Sequence, residues 1–200
     1  MREIDLADWR RKIAELYLST RSALDPQVAW QAWVLTRDHL FRTHPQSPIA
    51  PDRRERFEGC SYFPYDPTAR VLGHVESREP QTYEIATSDG STMTFARFAT
   101  VGFQLRGKEL TLEMYWLEGY AGGIYLPIAD ATSGATTYGA GRYLLDTAKG
   151  ADLGVQDERI VLDFNFAYNP SCSYDPRWAC PLTPPPNRLD VPIEAGEMHG

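Results

Sequence analysis

Cysteine is scarce in this chain, and its scarcity excludes a disulfide-stabilised scaffold. Only Cys60, Cys172 and Cys180 occur among 200 residues, whereas small secreted folds use many more. We interpret all three as reduced, packed thiols, although Cys172 and Cys180 could pair if the loop between them closes. No histidine lies near either of these two in the sequence, so we predict no metal site.

Positive charge is scarce in the last quarter of the chain. Residues 151–200 carry three arginines and no lysine against eight acidic residues, and the whole chain has a net charge of -7. Nucleic-acid backbones and anionic membrane surfaces are bound by clustered lysine and arginine. We therefore expect neither nucleic acid nor a membrane as a partner.

Long apolar runs are lacking as well. No stretch approaches the length of a membrane span, and residues 1–5 carry charges where a secretory leader would be apolar. These absences predict a soluble, cytoplasmic protein.

Common catalytic motifs are also absent. The sequence contains no Gly-x-Ser-x-Gly, His-Glu-x-x-His or Gly-x-x-x-x-Gly-Lys string, which mark many hydrolases, metalloproteases and nucleotide-binding proteins. Enzymatic activity therefore stays an open alternative, and the sequence indicates no particular cofactor.

Helical patterns are present at the start of the chain. Apolar residues recur at helical spacing over residues 5–18, which predicts an amphipathic helix. An aspartate followed by a proline is a typical capped start for a second helix over residues 25–42. Trp30 and Trp33 give this helix an aromatic face, which either packs on the rest of the fold or contacts a partner.

Strand patterns fill the middle of the chain. The clearest is the alternation of apolar residues at odd positions from 93 to 105, where Arg97 falls on the apolar face. The string Ser88–Ser91 predicts a hairpin turn. Further strands are predicted at residues 57–63, 71–76, 81–87, 110–116 and 124–128. Short turns and no intervening helices predict a mainly β (α+β) fold, an antiparallel β-barrel or sandwich-like domain with two N-terminal helices.

One domain is the simplest interpretation of residues 1–200 at this hydrophobic content. It comprises a helical N-terminal segment at about 5–42, a β domain at about 57–168 and a proline-rich tail at 170–200. Apart from the prolines of 181–186, the sequence has no internal repeat and no low-complexity segment.

Polar residues concentrate in the last third of the chain. Residues 162–170 combine a carboxylate, two amides and three aromatic rings. If this segment continues as a strand, Asp163 and Asn165 share a face, where they could act as a general base, ligate a cation or tie down the tail. The preceding loop, 138–142, places two glycines beside Arg142, a combination that either binds an anion or only makes a turn.

Several ordered strings also carry a resemblance. They are Phe57–Tyr65, Asp130–Gly134, Thr137–Leu144, Leu162–Asn165, Ala167–Pro170, Cys180–Leu182 and Ala195–Glu197. From about Trp30 to Glu197, the sequence resembles the bacterial and archaeal proteins grouped as domain of unknown function family 1684. The resemblance implies one domain and a shared site, and it supplies no reaction. Cys60 replaces an aliphatic residue of the family pattern and Ala129 a longer, often basic one, which implies a different ligand if that basic group takes part in binding.

Together these patterns predict a protein that binds a small anionic or carboxylate-bearing molecule at one end of the β domain, with the loop 170–188 over the opening. The predicted ligand-binding residues are Arg97, Asp130, Tyr138, Arg142, Asp163, Asn165, Tyr168 and Asn169. A hydrolase-type enzyme that uses Asp163 or Cys172 is one alternative. A purely structural or assembly protein, whose polar residues fasten its own tail, is the other.

Overall fold

Two helices open the chain. The computed structural model describes residues 2–199. The first helix, α1, spans Arg2–Ser22 and extends beyond the predicted segment at both ends. The second, α2, spans Pro26–Thr43 and begins as predicted, because the Asp25 side chain accepts hydrogen bonds from main-chain N–H groups of its first turn. Over the described range, no helix is both long enough and apolar enough to cross a membrane.

Over residues 2–199, seven strands form one antiparallel sheet. They are β1 Arg70–Ala86, β2 Thr92–Leu105, β3 Lys108–Leu117, β4 Ile124–Ile128, β5 Arg142–Asp146, β6 Val155–Gln156 and β7 Arg159–Asp163. Their order across the sheet is β5-β4-β3-β2-β1-β7-β6. The mainly β fold with two N-terminal helices is therefore confirmed.

The sheet is open, so the predicted barrel is wrong. The outermost strands, β5 and β6, do not pair with each other. The chain that follows β7 returns to β5 through a single bridge between Tyr143 and Tyr168. One bridge does not supply the continuous ladder of hydrogen bonds that closes a barrel.

Three of the predicted strands change. Residues 57–63 make one bridge, between Tyr62 and Glu197, because this segment lies against α2, where the Cys60 N–H donates to Asp38 Oδ1 (3.0 Å). The predicted strands 71–76 and 81–87 are two parts of the continuous β1, which pairs with β7 at its start and with β2 over its remaining length.

A bulge in β2 decides which face of the sheet Arg97 occupies. Arg97 pairs with Tyr115 and Ala99 pairs with Met114, so β2 holds one extra residue, Phe98. Side-chain alternation inverts at such a bulge, and residues before it face the opposite side of the sheet from residues after it. The predicted single apolar face from 93 to 105 is therefore wrong, because Arg97 shares a face with Met93 and Phe95, whereas the residues from Ala99 onward follow the opposite face.

Strand β7 ends earlier than the polar string predicts. Asp163 Oδ1 accepts a hydrogen bond from the main-chain N–H of Asn165 (3.1 Å), and a 3₁₀ turn follows over Phe164–Phe166. Asp163 and Asn165 thus do not share a strand face, which corrects the prediction. They still touch, because Asn165 Nδ2 donates to the same carboxylate oxygen (2.8 Å).

The helices join the sheet through one large hydrophobic core. Trp33 of α2 is fully buried, and its ring packs edge-to-face on Phe166 with 5.2 Å between centroids. Tyr17 of α1 packs in the same way on Trp33. The Trp30 indole donates to the main-chain oxygen of Asn165 (2.9 Å). The aromatic face of α2 therefore packs on the fold itself.

Candidate functional site

The predicted site residues fall into several separate groups, and Arg142 belongs to the most buried one. Its side chain is enclosed, and Nη2 donates to Asp130 Oδ2 (2.8 Å) and to the main-chain oxygen of Ile193 (3.0 Å). Nη1 donates to the main-chain oxygen of Ala195. Burial lowers the pKa of Arg142, and the Asp130 carboxylate opposes that shift. Arg142 and Asp130 thus fasten the C-terminal segment of their own chain.

Asp163 and Asn165 form a second group. Asn165 Oδ1 accepts from the main-chain N–H of Asp66 (2.9 Å), and its Nδ2 donates to the main-chain oxygen of the same residue (2.8 Å). Burial raises the pKa of Asp163 to about 6, against the hydrogen bonds from Asn165 and the charge of Arg70. Asp163 lines a cleft of about 260 Å³ beside β6 and β7.

Within residues 2–199, Arg97 and Tyr138 share no hydrogen-bond partner with these two groups. Arg97 Nη1 lies 3.4 Å from Glu113 Oε1, and its Nη2 donates to the main-chain oxygen of Glu79 (3.2 Å). The Tyr138 hydroxyl lies 3.8 Å from Cys172 Sγ. Arg97 therefore forms a partly buried ion pair with Glu113 on the sheet. Tyr138 lies beside Cys172, away from that pair.

The remaining two predicted residues, Tyr168 and Asn169, line a cavity between α1, α2 and the segment 168–174. The cavity has a volume of about 70 Å³. Seven of its fifteen lining residues are aromatic, namely Tyr168 with Trp9, Tyr17, Trp33, Phe41, Tyr143 and Tyr174. Part of the loop that the sequence places over a site, from Pro170 to Tyr174, does border this cavity.

Three buried polar atoms around the cavity make no hydrogen bond within residues 2–199. They are the Tyr17 hydroxyl, the Trp33 indole N–H and Asn169 Oδ1. The nitrogen of the Asn169 amide does have a partner, because Nδ2 donates to the main-chain oxygen of Met198 (2.9 Å). This bond fixes the orientation of the amide. Burial raises the pKa of Tyr17, and the charge of Arg37 and a weak contact of the Trp33 N–H with the Tyr17 hydroxyl oppose the shift. This contact falls outside the geometry of a hydrogen bond, so both groups still lack a full partner among the described residues. Buried polar groups in folded proteins almost always form hydrogen bonds. Three residues of one cavity lining that each hold a buried polar atom without such a bond in the described chain therefore require an explanation.

Arg37 brings a positive charge to the same cavity. It is 5% exposed, and its Nη1 donates to Glu197 Oε2 (3.0 Å) and to the Tyr62 hydroxyl. Within the part of the chain that the structure describes, Nε and Nη2 make no hydrogen bond. The guanidinium carbon lies 4.7 Å from the Trp33 ring centroid and 4.8 Å from that of Phe41. The ion pair thus fixes one side of the guanidinium and leaves the other side without a polar partner.

Lys149 supplies a second cation to the cavity lining. Its Nζ lies 2.9 Å from Asp146 Oδ2, and its side chain is 52% exposed. The ammonium group also lies 5.8 Å from the ring centroid of Tyr143. Because Asp146 is buried, Lys149 keeps this ion pair, and its ammonium group has further N–H donors that can bind an anion.

A wide cleft adjoins the cavity. It has a volume of about 690 Å³ and shares Asn169 and Tyr174 with the cavity lining. Arg53 and Arg56 lie along the cleft, and Arg53 donates to the main-chain oxygen of Tyr174. The wall at Tyr174 therefore separates the cavity from an open cleft that carries Arg53 and Arg56.

Sequence patterns do not single out Tyr17, Arg37 or Lys149 as site residues, although one signal for Arg37 exists. Arg37 stands four residues after Trp33 and four before Phe41, so helical spacing puts a cation in the middle of a buried aromatic stripe. Lys149 has no such signal, because it meets the helices only in the folded chain.

The groups that could carry hydrolysis are not assembled around a base. The hydrogen-bonding neighbours of the Cys172 thiol are Cys180, Ser88 and Tyr138, and no histidine of residues 2–199 is among them. In the same range, no group of three or more histidine, cysteine, aspartate or glutamate side chains is placed to hold a metal ion.

Comparison with known proteins yields a family and a solved relative. A family model described as "Protein of unknown function (DUF1684)" matches residues 55–198, so the match begins after both helices. The chain is also similar to an uncharacterized protein of Haloarcula marismortui with a solution NMR structure. The two are 37% identical, the similarity covers 84% of this chain and 91% of the other, and the TM-score is 0.61. The comparison with curated proteins found no match.

Proposed function

The chain belongs to the family described as Protein of unknown function (DUF1684), and we propose that it binds a small carboxylate-bearing molecule in the aromatic cavity between α1, α2 and the segment 168–174. The observation that carries this proposal is that Tyr17, Trp33 and Asn169, three residues that line one cavity, each hold a buried polar atom without a hydrogen bond to any described residue. A buried polar group without a partner costs about 1–3 kcal/mol, and a ligand that bonds all three removes this cost.

The polarity of the lining indicates the class of ligand. Arg37 and Lys149 provide positive charge, and Tyr17 and Trp33 provide two neutral donors. A carboxylate accepts from several donors at once and pairs with a guanidinium. The single orphaned acceptor, Asn169 Oδ1, suits a hydroxyl or amine hydrogen on the same molecule.

The size and the walls of the cavity limit the rest of the ligand. One water molecule needs about 10–15 Å³ of such a volume, so a cavity of about 70 Å³ takes a molecule with few non-hydrogen atoms. Aromatic walls favour an apolar or flat body over a sugar-like one. The ligand would enter from the adjoining cleft past Tyr174.

The two alternatives from the sequence receive less support. Hydrolysis by Cys172 or Asp163 would need a base beside the reactive group, and the nearest polar neighbours of these residues do not include one. A structural role, in which polar side chains hold the chain to itself, does fit Arg142, Asp130 and Asn165, because their hydrogen bonds go to other residues of the same chain. It does not explain the orphaned atoms of the cavity.

Calorimetry with short carboxylates, from acetate to benzoate and its hydroxylated forms, tests the proposal. The corresponding primary amides serve as neutral controls of the same shape. We expect carboxylates to bind and their amides to bind at least about tenfold more weakly, because the amides forfeit the charge-assisted hydrogen bonds. If no carboxylate binds more tightly than its amide, the proposal is wrong.

Two matched variants locate the binding. Tyr17→Phe removes only the orphaned hydroxyl and is expected to weaken carboxylate binding about tenfold. Tyr125→Phe removes a buried hydroxyl that already donates to the main-chain oxygen of Pro181 (2.9 Å), and we expect it to leave the affinity unchanged. Equal effects of the two variants would place the ligand elsewhere.

A further inference from the structure

A pair of cysteines lies close together beside the tail. Cys172 is in the 3₁₀ turn Ser171–Ser173, and its main-chain N–H donates to Cys180 Sγ (3.4 Å). Both thiols are free; Cys180 is 4% exposed and Cys172 is partly exposed. The sequence leaves open whether these two residues pair, and the fold brings them together.

We propose that Cys172 and Cys180 form a reversible dithiol–disulfide pair that reacts with low-molecular-weight disulfides, with Cys172 as the attacking thiol. A disulfide needs the two Cα atoms within about 4.4–6.8 Å of each other. A sulfur that already accepts from the main-chain nitrogen of the other cysteine is consistent with that requirement.

The surroundings of the two thiols assign the attacking role to Cys172. Hydrogen bonds from Cys180, Ser88 and Tyr138 lower the pKa of Cys172, against the effect of burial, and the Tyr138 hydroxyl lies 3.8 Å from its sulfur. Cys172 is also the more exposed of the pair. By contrast, burial and the charge of Glu197 raise the pKa of Cys60, so we expect Cys60 to react more slowly than Cys172.

Cys180 is held in position to resolve the first product. Its main-chain N–H donates to the Ser88 hydroxyl oxygen (3.1 Å), and its main-chain oxygen accepts from the Ser88 N–H (2.9 Å). Thr87 forms a bridge with Pro181. These contacts hold Cys180 against the β1–β2 hairpin turn, so we expect the 3₁₀ turn that carries Cys172 to move more than Cys180 when the disulfide closes.

The reaction balances as two thiol–disulfide exchanges. The Cys172 thiolate attacks one sulfur of oxidised glutathione, a bond forms between them, the glutathione S–S bond breaks, and glutathione thiolate leaves and takes up a proton. Cys180 then loses its proton and attacks Cys172, and the second glutathione leaves in the same way. The two cysteines are oxidised by two electrons, and one glutathione disulfide is reduced to two thiols.

Thiol counting on the full chain tests the proposal. Reduced protein is equilibrated with excess oxidised glutathione, quenched with acid, denatured and treated with a maleimide, and its intact mass is measured. We expect one labelled thiol, Cys60. The intact mass should equal that of the reduced chain plus one maleimide, less the two hydrogen atoms lost when the disulfide forms. Trypsin should then yield a disulfide-linked peptide pair, because Arg177 lies between Cys172 and Cys180. Wild-type protein that keeps all three thiols labelled would overturn the proposal, and this result needs no variant to fold.

Three variants assign the order of the steps. Cys180→Ser should accumulate glutathione on Cys172, whereas Cys172→Ser should react at least about tenfold more slowly than the wild-type chain. Cys60→Ser is the matched control and should form the disulfide at the wild-type rate. Glutathione found on Cys180 first, or on Cys60, would contradict the assignment of Cys172 as the attacking thiol.

Discussion

Arg37 Nη1 and Glu197 Oε2 lie 3.0 Å apart in an ion pair whose side chains are 6% and 1% exposed. The pair joins α2 to the C-terminal segment, across 160 residues of sequence. Glu197 also accepts from the main-chain N–H of Asn169 (3.0 Å) and from the Tyr174 hydroxyl. One carboxylate therefore holds the cation of the cavity and two residues of the cavity wall.

Loss of the Glu197 charge should destabilise the fold strongly. In Glu197→Gln the shape is kept, but Arg37 is left buried without its counter-ion, and breaking such a pair costs about 3–5 kcal/mol. Urea denaturation should show a loss near the lower end of this range, because glutamine keeps some of the hydrogen bonds.

An exposed ion pair provides the control for this variant. Glu76 pairs with Arg78 (2.8 Å), and the Glu76 side chain is 60% exposed. Glu76→Gln should change the free energy of unfolding by no more than about 0.5 kcal/mol, since surface pairs contribute little. Equal losses for Glu76→Gln and Glu197→Gln would mean that Arg37 is not buried as described.

Removal of the Tyr17 hydroxyl should not destabilise the ligand-free protein. This hydroxyl has no partner within residues 2–199, so Tyr17→Phe is expected to leave stability unchanged or to raise it by up to about 1 kcal/mol. Tyr125→Phe removes the hydrogen bond between the Tyr125 hydroxyl and the main-chain oxygen of Pro181. This loss should lower the free energy of unfolding by about 1 kcal/mol. Thermal denaturation of both variants checks this, and a Tyr17→Phe loss as large as that of Tyr125→Phe would show that the hydroxyl is satisfied in solution.

Asp163 should make stability fall as the pH rises. Burial raises its pKa to about 6 in the folded chain, from 3.8. Because the folded state holds the proton more tightly, the stabilisation is fully present below about pH 4 and is lost as the pH rises through about 6. The shift corresponds to about 3 kcal/mol across this window.

Comparison with Asp163→Asn isolates this contribution from those of other groups. The amide cannot ionise, and its oxygen can still accept from Asn165, so the stability of the variant relative to wild type should increase between about pH 4 and about pH 7. Urea denaturation at a series of pH values measures the difference. Parallel pH curves for the two proteins would show that Asp163 titrates normally.

Gly141 and Gly139 should differ sharply in their tolerance of a side chain. Gly141 has φ +98°, and a Cβ there would meet Thr183 Oγ1 at 2.1 Å and the main-chain oxygen of Ile128 at 2.5 Å. Gly139 would make only ordinary contacts, the nearest at 3.6 Å. We expect Gly141→Ala to cost at least about 2 kcal/mol and Gly139→Ala less than about 1 kcal/mol, as judged by thermal denaturation. Equal tolerance would mean that the loop before β5 can rearrange.

Parts of the fold could be predicted because their signals are local. The Asp25 cap of α2 and the hairpin turn after β1 both follow from short strings of the sequence. The signal failed at Phe98 and at Asp163, where a bulge and a 3₁₀ turn interrupt patterns that look like regular strands. In both places the side-chain alternation stops without a glycine or proline to mark it.

The candidate site was only partly predictable for a related reason. Polar residues stand out in an apolar string, and this signal predicted Tyr168 and Asn169, which line the cavity. The same signal predicted Arg142 and Asp163, which form hydrogen bonds with other parts of their own chain. A polar residue in an apolar segment must find a partner, but its sequence neighbours do not reveal whether the partner is a ligand or the chain itself.

By itself, the sequence determined the mainly β architecture with two leading helices, because side-chain periodicity and capping act over a few residues. Only the tertiary structure decided that the sheet stays open and that Arg142 binds its own C-terminal segment. It also decided which distant residues line one cavity, among them Arg37, Lys149 and the three residues whose polar atoms lack a hydrogen bond within residues 2–199. These outcomes depend on contacts between residues far apart in the chain, and the packing of the whole molecule sets such contacts.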